Sequence, residues 1–343
     1  MKSDIKSMLL SELEEYFASI GEPKFRAKQV FSWIHSGVVS FDEMSNISKS
    51  LREKLDTEFY ISHPKLISKN ISELDATTKF LWQMTDGATV ESVVMKYSYG
   101  NTICISSQVG CEMGCSFCAS AIGGLERNLH ASEMLDQVLF SQKESGDRIS
   151  NIVIMGIGEP LDNFDNLIRF LKLVNHGDGL NIGLRKISIS TCGIIENIDK
   201  LADYKIQLTL TVSLHAADDE TRSKLMPVNR NYGVDMLLEA CERYFLKTGR
   251  RVSYEYSMID DVNDTKAHAE LLAKKLKGSG SHVNLIPLSD VPERALRGSS
   301  AEKIKEFAQI LEKHGINVTI RRSLGRDISA SCGQLRVRHR QES

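Results

Sequence analysis

The chain has 343 residues, of which 41% are hydrophobic and 26% charged, and its formal net charge at pH 7 is −2. That is the composition of a globular protein with a sizeable core, and the length admits two or three domains or one large α/β barrel with an appendage. It excludes a low-complexity chain and a globally basic binder of polyanions, so any nucleic-acid contact must come from locally arranged basic residues.

No apolar run approaches the ~20 residues needed to cross a bilayer, and no membrane partner is expected. The opening MKSDIKSMLLSELEEYF carries acidic residues inside its apolar pattern and reads as an amphipathic helix rather than a secretion signal, so a cytoplasmic location is the expectation. Residues 1–60 read as a helical accessory domain: Leu9, Leu10, Leu13, Tyr16 and Phe17 keep a helical period, as do Val30, Phe31 and Ile34 after Pro23. Lys24, Arg26 and Lys28 lie beside the second stripe, either as a solvated face or as an RNA contact. Residues 61–96 read as a β connector, with strand-like 79–84 and 89–96 and a turn at Asp86-Gly87.

From residue 97 to 330 strands and helices alternate. Strands are predicted at 102–106, 150–155, 186–190, 207–213, 252–257, 282–286 and 317–321, with helices between them such as 131–144, 164–175, 234–247 and 265–276. This predicts an α/β fold with a parallel sheet, a full or partial TIM-type barrel whose chemistry sits on loops at the C-terminal strand ends. Residues 331–343 form a tail.

Four of the seven cysteines fall in Cys104–Cys118, CISSQVGCEMGCSFC. Cys111, Cys115 and Cys118 follow a predicted strand on a loop with Gly110 and Gly114, and such close thiolates can face one metal centre. A structural zinc site closes with four ligands in two pairs, and no second pair follows downstream. A [4Fe–4S] cluster with one open iron accounts for the missing ligand; zinc and unliganded cysteines remain the alternatives. After the next strand, Met155-Gly-Ile-Gly-Glu-Pro160 lets a ligand approach the backbone at Gly158 and offers Glu159 to an ammonium group, or is an ordinary turn. Ser190 ends one later strand and Ser213-Leu214-His215 another, as ligand contacts or as polar caps.

The Cys-x3-Cys-x2-Cys loop resembles that of the radical S-adenosylmethionine (SAM) superfamily. GGLERNL (123–129), MGIGEPLDN, SLHA (213–216), RSKLMPVN (222–229), VNLIPL (283–288) and DISASCGQL (327–335) follow in the order found in the RlmN/Cfr methyltransferases. Pro160 matches the C2-methylating branch; the C8-methylating branch carries Ala there. The resemblance implies a partial (β/α)6 radical SAM barrel with a cluster on Cys111, Cys115 and Cys118, and SAM held by Gly158, Glu159, Ser190, Ser213, Leu214 and His215. Ser289 stands where the family often has Asn, a shorter polar reach.

The resemblance also implies a relay, because an aromatic C–H carbon is a poor nucleophile toward a SAM methyl group. Cys332 takes a methyl from one SAM as a thiolate. A second SAM is cleaved at the cluster, the 5′-deoxyadenosyl radical removes hydrogen from that methyl, and the carbon adds to adenine C2. Glu91 accepts the C2 proton, unless it is only a solvent-facing strand carboxylate. Cys104 then forms a transient disulfide with Cys332, which requires their Cα atoms to come within roughly 4.4–6.8 Å. Otherwise Cys332 is only an exposed tail cysteine. Cys192 and Cys241 read as core residues.

The implied substrates are adenosine 2503 of 23S rRNA and adenosine 37 of some tRNAs, in elements whose bases can be splayed out. Arg321-Arg322 and the tail residues Arg336, Arg338 and Arg340 flank Cys332 and are the preferred RNA contacts, ahead of Arg250-Arg251. An electron donor such as flavodoxin and a monomeric state complete the expectation.

Overall fold

Runs rich in β-branched residues, such as ISNIVI, ISIST and TLTVS, form strands with no exposed residue, alternating mostly between buried and half-buried side chains, as a parallel sheet covered by helices on one side and facing a cavity on the other requires. The computed structural model describes residues 2–330 apart from Asp290 and Pro292. Cys332, its pairing with Cys104, and Arg336, Arg338 and Arg340 lie outside the described residues.

Three helices, α1 (Leu10–Ser19), α2 (Lys24–His35) and α3 (Lys49–Glu58), come first, and two-residue strands β1 (Ser3–Asp4) and β2 (Phe59–Tyr60) pair in parallel at their ends. The stripes expected to be apolar turn inward: α1 buries Leu13 and Phe17, and α2 buries Val30, Phe31 and Ile34. The next strands form an antiparallel meander, β3 (Lys65–Ile71), β4 (Thr78–Gln83) and β5 (Thr89–Tyr97), followed by β6 (Gly100–Ile105).

A short hairpin, β7 (Gln108–Gly110) and β8 (Leu125–Asn128), interrupts the alternation. Then come α4 (Ala131–Ser145), β9 (Ile149–Ile154), α5 (Phe164–Asn175), β10 (Ile187–Thr191), α6 (Ile195–Asp203), β11 (Thr209–Ser213), α7 (Asp219–Leu225) and α8 (Val234–Thr248). The last elements are β12 (Ser253–Met258), α9 (Lys266–Leu276), β13 (His282–Pro287), α10 (Ala301–Lys313) and β14 (Asn317–Ile320). Asp218, Thr265 and Ser300 cap α7, α9 and α10 with their side-chain oxygens, which satisfies a backbone N–H that the first turn leaves unpaired.

One ten-stranded sheet runs β14-β13-β12-β11-β10-β9-β6-β5-β4-β3. From β14 to β6 every neighbouring pair is parallel; from β6 to β3 every pair is antiparallel. The predicted barrel strands are therefore present and parallel, and the strands read as a connector continue the same sheet beyond β6. Among the described residues, no helix is long and apolar enough to cross a membrane.

The helical segment docks on α4 and α5. The Lys6 ammonium is fully buried and donates to the Asp136 carboxylate on α4 and to the Ser62 carbonyl. Arg169 on α5 pairs with Glu12 at 2.6 Å, and Lys28 on α2 pairs with Asp178 at 2.9 Å. Lys28 is thus engaged within the chain rather than standing in a purely solvated basic face.

Candidate active site

Strand register decides which side chains share a face, because they alternate along a strand. Val93 on β5 lies opposite both Cys104 on β6 and Lys79 on β4. Glu91, two residues before Val93, therefore joins Lys79 and Cys104 on one face. On the other side of Cys104, Ser190 opposes Thr211, and Ser213 opposes Glu255. These faces meet around a cavity of about 300 Å³, lined by Glu91, Cys104, the three clustered cysteines, Gly158, Glu159, Ser190, Ser213, His215, Glu255 and Arg321.

Two expected SAM contacts behave differently. The Leu214 side chain is fully buried in the core, and Ser289 is exposed just beyond β13; neither lines the cavity. Cys192, read as a core residue, is buried but reaches the cavity wall, whereas Cys241 packs in the core.

The cysteine loop is held at its root by the β7–β8 hairpin, where the Cys111 N–H donates to the Gly124 carbonyl at 3.0 Å. Gly110 has φ +78, and a Cβ there would meet the Gly124 oxygen at 1.9 Å, so only glycine fits. Gln108 ties this hairpin to the glycine loop after β9: its Oε1 accepts from the Glu159 N–H at 2.8 Å, and its Nε2 donates to Asp162 at 2.7 Å. Gly158, at φ +100, leaves room for that side chain, since its Cβ would lie 2.4 Å from the Gln108 Cβ.

Three thiols converging on one cavity suit a soft metal centre. A [4Fe–4S] cluster whose fourth iron takes its ligand from elsewhere needs only three thiolates, whereas a structural zinc ion is closed by four protein ligands. Burial pushes the Cys111 thiol up to about 12 and the Cys115 thiol higher still, so thiolates here need a cationic partner. Met113, Phe117 and Met226 also line the cavity, an apolar flank that keeps water from the loop.

Glu159 is fully desolvated, which raises its pKa, although its two oxygens accept from the N–H groups of Leu161 (2.9 Å) and Cys192 (2.7 Å). It joins the loops after β9 and β10, also accepting from the Thr191 and Cys192 side chains, and sets a carboxylate at the cavity wall. His215 is buried, and desolvation lowers its pKa to about 3; it stays neutral while Nδ1 accepts from the Ser257 N–H at 2.9 Å. Its φ of +56 is a rare conformation for a non-glycine residue at the mouth of a strand. Ser190 donates to Glu255 at 3.2 Å, and Arg321 faces Glu255 at 3.6 Å.

Glu91 is not a solvent-facing carboxylate: it is 4% exposed. Its Oε1 lies 3.3 Å from the fully buried Lys79 ammonium.

The buried Arg222 gave no sequence signal beyond its place in RSKLMPVN. It donates to the carbonyls of Leu214 (3.0 Å), Cys192 (2.7 Å) and Ser213 (3.2 Å), holding two strand ends around the cavity. Glu255, Lys79 and Gln108 were likewise not singled out, and Arg321, expected at an RNA surface, also faces the cavity.

Residues 105–272 match the family model described as the radical SAM superfamily. That defines the class: an α/β enzyme that uses a [4Fe–4S] cluster and SAM, and the cysteine loop fits such a cluster. Residues 3–61 match the model described as the ribosomal RNA large subunit methyltransferase N-terminal domain. The chain is 52% identical over 336 residues, 98% of its length and 94% of the relative's, to the probable dual-specificity RNA methyltransferase RlmN of Lachnoclostridium phytofermentans. It is 51% identical to the protein of the same description from Clostridium novyi, over 97% of each chain. The crystal structure of a radical SAM methyltransferase from Sphaerobacter thermophilus superposes with a TM-score of 0.92 at 43% identity, covering 97% of this chain and 98% of the other. The chain belongs to the RlmN family of radical SAM RNA methyltransferases.

Proposed function

We propose that the protein methylates C2 of adenosine 2503 in 23S rRNA and of adenosine 37 in tRNAs, through a methylated cysteine and with two SAM per turnover. The observation that carries this reading is that Glu91 and Cys104 line the same cavity as Cys111, Cys115 and Cys118. A cluster held by those three cysteines supplies, when bound, the electron for reductive cleavage of SAM.

The other roles fall to side chains. Glu159, Ser190, Ser213 and His215 hold SAM around the strand ends, with Gly158 giving it backbone access. Cys332 carries the methyl group as a thioether until its carbon is joined to adenine C2. Glu91 takes the C2 proton, and Cys104 closes a disulfide on Cys332 that frees the methylated base. Residues 1–60 act as an accessory domain and Arg321-Arg322 with the tail as RNA contacts, in a monomeric cytoplasmic enzyme reduced by a donor such as flavodoxin.

Mass spectrometry of rRNA and tRNA from cells with and without the gene tests the assignment. Loss of 2-methyladenosine is expected; its persistence, or loss of 8-methyladenosine instead, defeats it. Cys332→Ala should abolish methylation and leave the brown cluster chromophore in place.

A further inference from the structure

Lys79 sits on β4 with none of its side chain exposed, an unusual place for an ammonium group. It faces the Glu91 carboxylate at 3.3 Å and donates to the Ser329 carbonyl. Ser329 lies three residues before Cys332 in the sequence.

That second contact belongs to a wider latch. The turn between β3 and β4 grips the same segment: Ser72 Oγ donates to Asp327 at 2.7 Å, the Glu73 N–H donates to Asp327 at 2.8 Å, and the Gly325 N–H donates to Asp75 at 2.8 Å. Ala330, next along the chain, already lines the cavity. Turn and strand thus fix the root of the cysteine-bearing segment beside the carboxylate that faces the cavity.

We propose that Lys79 is a positioning residue: from one buried ammonium it holds the Glu91 carboxylate in place at the cavity wall and ties it to the segment that leads to Cys332. The proposal rests on the reading of Glu91 as proton acceptor. A positive charge at this distance favours the carboxylate over the acid. Among the described residues, the cavity wall also carries Cys104 on β6, Glu255 on β12 and Arg321 after β14. Glu255 opposes ionisation of Glu91 and Arg321 favours it. Arg321 faces Glu255 at 3.6 Å, and Lys79 faces Glu91 at 3.3 Å.

The test compares Lys79→Gln, Lys79→Arg and Glu91→Gln in the full-length, cluster-loaded enzyme, acting on a 23S rRNA transcript that spans the target adenosine. Lys79→Gln should keep wild-type iron content, SAM binding and KM for RNA. Its kcat should fall at least tenfold at pH 7, and the acidic limb of its kcat–pH profile should move to higher pH. Lys79→Arg should recover most of the rate and return the limb. Wild-type kcat with an unmoved limb in Lys79→Gln, while Glu91→Gln is inactive, defeats the role of Lys79 and leaves that of Glu91. Full methylation by Glu91→Gln defeats the underlying reading. If Lys79→Gln loads no cluster, the Lys79→Arg profile decides: a limb displaced to higher pH although the positive charge is kept rules the role of Lys79 out.

Discussion

Burial and neighbouring carboxylates pull Cys104, Cys111, Cys115 and Cys192 away from the thiolate state. Desolvation pushes the Cys104 thiol up to about 11, with Glu255 and Glu91 adding to the rise and Arg321 opposing it. A raised thiol pKa leaves the neutral form dominant at pH 7, and the nucleophilic thiolate gains only as pH climbs toward that value. Alkylation of Cys104 in the cluster-loaded enzyme, followed by peptide mass spectrometry, should therefore accelerate about tenfold per pH unit from ~7 to ~10. A rate already flat at neutral pH would contradict the burial argument. In the proposed relay the same property keeps Cys104 unreactive until its partner is ready. Residue by residue, legibility was uneven. Cysteine spacing and strand-end serines announce themselves, because metal ligation and loop placement constrain sequence. Arg222, Lys79 and Glu255 do not: a lone charge in a helix or strand reads as a solvated face, and only tertiary packing shows that its partners are carbonyls and a cavity.

At the level of elements, the alternation of strand and helix was readable because buried parallel strands are β-branched runs and the longer helices keep a 3.6-residue period. The hairpin formed by β7 and β8 was not, since three- and four-residue strands offer too little pattern. Nor was the continuation of the sheet through β5, β4 and β3, because pairing direction across β5 and β6 is a tertiary choice. The hairpin is nevertheless what presents the metal ligands. Gly110→Ala puts a methyl group against the Gly124 carbonyl and strains a left-handed backbone, displacing Cys111. Reconstituted Gly110→Ala should hold a small fraction of the wild-type iron and visible absorption while keeping the far-UV circular dichroism of the native fold. Wild-type iron content would show that the hairpin can relax without moving Cys111.

Across the whole molecule, attachment of the N-terminal helices depends on a charge that water never reaches. Lys6 and Asp136 are 0% and 1% exposed, and the Ser62 hydroxyl also donates to Asp136 at 3.0 Å. Removing one partner of such a pair strands the other and costs about 3–5 kcal/mol. Lys6→Met should lower the urea-unfolding free energy by that amount, whereas Lys2→Met, whose pairing with Asp56 is solvent-exposed, should change it by less than about 1 kcal/mol. Equal effects of the two substitutions would mean that the helices do not depend on this buried pair. None of this was legible, because Lys6 and Asp136 are 130 residues apart and each looks like ordinary helix-surface charge.

The change of strand direction between β5 and β6 has a consequence for how such an enzyme is assembled from older parts. The stretch shared with the whole superfamily starts at residue 105, at the last residue of β6. The side chains proposed for radical generation, the three clustered cysteines among them, lie after that boundary. Lys79, Glu91 and Cys104 lie just before it, and Arg321 and Cys332 lie well past its end at residue 272. The antiparallel pairing from β6 to β3 borders the parallel strands with further backbone while leaving their own order intact. In the proposed relay, the choice of target carbon therefore falls to groups at the margins of the sheet rather than to the parallel strands between them.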